Sequence, residues 1–189
     1  MKKIIYLIFL SIIFSHNGFT DDRLTVLDLY NKYESDKLIL KNGEWFLSSQ
    51  PYRGNRGGFA WDKIIVDNRN GYIYLRGCVS VSDIKVRQYA LYRNNRAKYI
   101  LAKSTYEYGP AGCENVKIKF LKYQNSSFSD VTSNILHQIS FRDFLNERHL
   151  NQYREQNELL DSLLVYFFEL PIHGTIIKVK FNTSLLSIN

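Results

Sequence analysis

Between Lys63 and Thr132 the sequence is a string of apolar-alternating segments separated by turns rich in Asn and Gly. That pattern leaves few folds open. Side chains that change character with period two belong to strands with one buried face and one wet face. Strands joined by very short turns pair antiparallel, because a parallel connection needs a crossover of about a dozen residues. Ile64-Ile65-Val66 runs into Asp67-Asn68-Arg69-Asn70-Gly71, and Tyr72 to Val79 runs out. Asn-Gly at the end of such a loop is a strong hairpin signal. Ile84 to Arg93, Ala97 to Thr105 and Asn115 to Tyr123 follow, with turns at Asn94–Asn95 and Asn125–Ser127. Phe128 to Thr132 reads as a further strand. Within the segment from Asn115, Val116, Ile118 and Phe120 face one way, and Lys117 and Lys119 face the other.

The flanking segments are mixed. In Asp21 to Asp36, Leu24, Leu27 and Tyr30 recur at helical spacing, and Thr25 with Asp28 resembles a capping box. Asn42–Gly43 reads as a turn. Ser140 opens a second helical stretch carrying Phe141, Phe144 and Leu145, and Asn146 to Glu158 is almost wholly polar. Leu163 to Phe168 is apolar on both faces, as for a strand covered on both sides. Thr175 to Phe181 returns with Ile177, Val179 and Phe181 inward and Lys178 and Lys180 outward. The expected fold class is α+β, a mostly antiparallel β-sheet meander with an N-terminal helix and one late helix. Residues 21–189 are expected to form one domain.

Residues 1–20 set the compartment. Lys2 and Lys3 precede an apolar run from Ile4 to Phe14, broken only by Ser11, and small and polar residues follow to Thr20. This is the layout of a secretory signal, cut after Ser15 or Thr20. The apolar run is too short for a bilayer span of about twenty residues. No transmembrane anchor is expected after processing, and the mature protein is expected in the periplasm or outside the cell. The formal net charge is +7, which favours acidic partners; nucleic acid is excluded by the compartment. Cys78 and Cys113 are the two cysteines, and in an oxidising compartment they are expected to bond to each other.

Catalytic signatures are absent. HExxH and GxSxG do not occur, His149 and His173 lie in segments that need no catalytic explanation, and His137 is the histidine that a dispersed hydrolase site would bring together with a carboxylate. The Asp67–Gly71 loop lacks calcium-loop spacing, since Arg69 falls where a ligand is needed. No cofactor or metal is expected. Two surfaces remain. The glycine-rich loop from Gln50 to Gly58 carries Arg53 and Arg56, a possible grip for an anion. Lys85 and Arg87, Lys117 and Lys119, and Lys178 and Lys180 each alternate with apolar neighbours. If their strands are adjacent, six cations line one sheet face.

The phrases Ser129-Asp130-Val131-Thr132 and Leu170-Pro171-Ile172-His173-Gly174-Thr175-Ile176-Ile177-Lys178-Val179, with Asn70-Gly71-Tyr72 before them, follow one another in that order. In this the chain resembles a loose group of uncharacterised exported bacterial proteins over roughly residues 61–181. The resemblance implies export and a β-rich fold, and carries over no activity. The expected function is that of an exported, non-catalytic bacterial binding protein for an acidic envelope or secreted protein, an immunity or inhibitor protein being one version. The alternatives are an envelope factor binding anionic lipid or cell-wall polymer, and a hydrolase with a dispersed site.

Overall fold

The computed structural model describes residues 23–49, 60–78, 83–94, 98–109, 112–136 and 166–181. Helix α1 (Val26–Tyr33) opens this part of the chain. Thr25 caps it reciprocally: its hydroxyl accepts from Asp28 N at 3.2 Å, and the Asp28 carboxylate accepts from Thr25 N at 2.7 Å. Two orphan amides are thereby satisfied at the N-terminus. Val26, Leu29 and Tyr30 form its buried stripe.

Strands β1 (Leu38–Lys41) and β2 (Glu44–Leu47) make a separate hairpin. Its turn residues Asn42 and Gly43 both have positive φ, 54° and 80°, the left-handed pair that two-residue hairpins favour. The main sheet has six strands in sequence order: β3 (Ala60–Asp67), β4 (Tyr72–Cys78), β5 (Ile84–Asn94), β6 (Lys98–Gly109), β7 (Gly112–Gln124) and β8 (Ser127–Asp130). All pairs are antiparallel, so the expected meander forms. Gly71 closes the β3–β4 turn at φ 69°. A Cβ there would stand 3.2 Å from the Leu91 Cβ, while Leu91 N already donates to Gly71 O at 2.8 Å. Conformation and space both require glycine at this position.

The two faces of the sheet have different covers. On one face Ile73, Leu75, Tyr89, Leu101 and Leu121 pack with Val26, Leu29 and Tyr30 of α1 and with Leu38 and Leu47 of the hairpin. On the other, Tyr72, Ala90, Tyr92, Ala102 and Phe120 pack with Phe168, Leu170 and Ile177. These last come from β9 (Tyr166–Glu169), from the residue that follows it, and from the lead-in to β10 (Lys178–Phe181), a second hairpin laid across β6 and β7. Two buried polar side chains fasten it. Ser104 Oγ donates to Phe168 O at 2.6 Å, and Gln88 Oε1 accepts from Leu170 N at 2.8 Å. Gln88 and Ser104 are register partners on β5 and β6, so one polar row holds successive backbone groups of the cover. A short helix, α2 (Thr132–Ile135), follows β8, where the sequence pattern suggests strand as far as Thr132.

The expected Cys78–Cys113 disulfide is not formed. Cys78 is free and exposed. The ladder pairs Cys78 with Ile84, Ile84 with Tyr108, and Tyr108 with Cys113. The two Cα atoms are therefore three interstrand steps apart, about 14 Å, whereas a bridge needs less than about 7 Å. The late helix expected from Ser140, the polar stretch 146–158 and the signal segment lie outside the described residues. Among the described residues no helix is long and apolar enough to cross a membrane.

Candidate functional site

The face under α1 changes character along β5, β6 and β7. Register aligns Leu91, Leu101 and Leu121 in one row, Tyr89, Lys103 and Lys119 in the next, and Arg87, Thr105 and Lys117 in the third. Lys85 opposite Glu107 completes the gradient. Since side chains alternate along each strand, all of these point to the α1 side. Helix α1 covers the leucine row and ends where the cations begin. Glu34, its C-cap, reaches the border row: its Oε1 accepts from Lys103 Nζ at 2.5 Å and from Tyr89 OH at 3.0 Å. Burial above all, and then the Glu34 charge, push the Tyr89 hydroxyl well above the ordinary tyrosine value, so it stays a donor.

The inner cations are anchored. Arg87 lies over the Trp61 ring at 5.0 Å, a cation–π contact. Lys85 pairs with Glu107 at 2.5 Å. Hydrogen bonds from Lys85 and Asn115 hold the Glu107 carboxyl below the usual carboxylate range. The outer cations are much freer. Lys119 stands 4.0 Å from Asp130, with both side chains about half exposed. Lys117 is exposed and makes no ion pair with a described residue. Lys103 and Lys119 sit directly opposite each other in the ladder, with Glu34 against the first and Asp130 near the second.

Four of the six cations singled out in the sequence, Lys85, Arg87, Lys117 and Lys119, thus share this face. Lys178 and Lys180 do not. They lie on β10, in the hairpin that covers the opposite face, and Lys180 pairs with Glu169 at 2.8 Å. Lys103, Glu34, Trp61 and Asp130 were not anticipated. Lys103 was not reachable by counting: a two-residue turn at Asn94–Asn95 would set Tyr89 opposite Ile100, whereas the ladder sets it opposite Lys103. Arg53, Arg56, His137 and His149 lie outside the described residues. His173 is exposed in the β9–β10 loop. Among the described residues no group of three His, Cys, Asp or Glu is placed to hold a metal ion.

Asp36 fixes the base of the β1–β2 hairpin beside this face. It accepts from Ser48 Oγ at 2.9 Å, from Ser49 N at 2.9 Å and from Ser49 Oγ at 2.6 Å. Burial opposes its ionisation, but these hydrogen bonds, with the Arg87 charge behind them, outweigh it and hold the carboxyl below its ordinary value. A depressed folded-state value means that the contribution is present above about pH 4 and is lost as pH falls below that. Asp36→Asn should accordingly be less stable than the native chain at neutral pH, with the gap closing in acid. Urea midpoints of both proteins at neutral pH and near pH 3 check this.

No family model, no curated protein and no solved structure matches this chain.

Proposed function

We propose that this chain is an exported bacterial binding protein that acts by contact with an acidic protein and not by bond-making. One observation carries the reading. Five cations, Lys85, Arg87, Lys103, Lys117 and Lys119, gather on half of a sheet face whose other half is closed by α1. Anchoring of the inner three by Glu107, Trp61 and Glu34 fixes the geometry of the field. The outer two stay available to a partner's carboxylates. A basic target, such as a typical lysozyme, fits poorly, because like charges slow encounter and weaken docking.

The basic head and apolar run at residues 2–14 support export to the periplasm or beyond, as does the resemblance to exported proteins. The unbridged Cys78 adds nothing to that argument. Affinity capture from an envelope extract tests the reading. The native chain should retain an acidic protein in stoichiometric amount, released by raised salt. Lys117→Glu combined with Lys119→Glu should retain none. Equal, salt-indifferent capture by both proteins would overturn the reading.

A further inference from the structure

The same basic field borders a strand edge that, among the described residues, is only partly paired. β8 pairs with β7 only from Leu121 to Gln124. The next residue back, Phe120, has both backbone groups turned to the β8 side. Its carbonyl accepts from Val131 N at 2.8 Å, and its N–H donates to Thr132 Oγ1 at 2.9 Å. Backbone groups of alternate residues in a strand point the same way. The N–H and C=O of Ile118 and the C=O of Val116 therefore also face that edge, and among the described residues no strand pairs with them; a register shift against β6 between Thr105 and Glu107, with Asn115 at φ 53°, breaks the alternation before Val116.

We propose that the Val116–Lys119 edge of β7 takes up an extended segment of the partner as an added strand, one in which acidic and apolar residues alternate. The inference rests on the acidic-partner reading and specifies the form in which that partner binds. Main-chain hydrogen bonds to Val116 and Ile118 supply register, as in other strand-addition complexes. Side chains supply selection. On the α1 side the added strand lies beside Lys117 and Lys119 and meets them with carboxylates. On the opposite side it lies beside Val116 and Ile118, both half-buried, with Val116 packed near Phe167, and meets them with apolar groups. The lysines also decide what is refused. A second copy of β7 laid on this edge brings lysine against lysine, so the edge rejects its own kind while accepting an acidic strand.

The test uses a blocked eight-residue peptide alternating glutamate with valine, titrated into the full chain and followed by the backbone amide signal of Ile118. The expected result is a salt-sensitive shift of that amide and slower hydrogen exchange there. A peptide methylated on every second amide, those turned to the edge, should bind about tenfold more weakly or worse, because two or more interchain hydrogen bonds are lost. A lysine–valine peptide should not bind. Ile118→Pro offers a second check, since proline is tolerated where a strand N–H faces an open edge; it should block the peptide while retaining the far-ultraviolet spectrum. If the methylated peptide binds as well as the parent, the added strand is wrong and the acidic-partner reading survives. If no acidic peptide or protein binds even at low salt, both fail.

Discussion

Glu34→Leu is expected to lower the unfolding free energy by about 3 kcal/mol, because it strands a largely buried cation. The Lys103 and Glu34 side chains are 20% and 15% exposed, so water replaces little of what the carboxylate gives. The variant also leaves the Tyr89 hydroxyl, within a fully buried residue, without its acceptor. Among the described residues Lys103 then retains only its ring contacts, 5.3 Å to Tyr33 and 5.7 Å to Tyr89. Lys103→Met in the same chain should restore most of the loss, since removing both charges of a buried pair is far less costly than removing one. Urea denaturation of the native, single and double variants checks this, with the midpoint moving and the slope unchanged. A single variant within about 0.5 kcal/mol of native would mean that α1 is held by its apolar stripe alone.

The second large effect is expected at Gln88. Gln88→Leu keeps the volume but leaves the Leu170 N–H buried without an acceptor, at a cost of about 2 kcal/mol. Gln88 and Leu170 are 3% and 2% exposed. Ser104→Ala removes the donor to the Phe168 carbonyl and should cost less, about 1 kcal/mol. The loss should be local. Amide exchange should accelerate through 166–170 while the central strands β5 and β6 keep their protection, because the second hairpin is a cover and not part of the sheet. Uniform loosening of the whole protein would contradict that division.

The meander was legible because its turns carry their own chemistry. Asn70-Gly71 and Asn125 with Ser126 occupy left-handed or turn geometry, and the alternation of Val116, Ile118 and Phe120 with Lys117 and Lys119 assigned the faces of β7 correctly. Thr25 and Asp28 announced α1 in the same local way. The β1–β2 strands escaped notice for a physical reason. Ile39 and Leu40 are both substantially exposed on opposite faces of a narrow ribbon, so no period-two contrast marks them. The cysteines misled because compartment and count say nothing of distance across a sheet. The lysine pairs misled by half. Alternation tells which face of its own strand a residue takes, but not which sheet that strand joins, and β10 joins another. Glu34 and Trp61 come from segments distant from the stripe in the sequence, and only the packing of α1 onto the sheet and the pairing of β3 into it bring them to it.

A titration at two salt concentrations, with the captured acidic protein and the native or Lys117→Glu/Lys119→Glu chain, tests the central claim most directly. The account predicts tight binding by the native chain at low salt, marked weakening at high salt, and little binding by the charge-reversed chain at either. Equal affinity of the two chains, unmoved by salt, would contradict it.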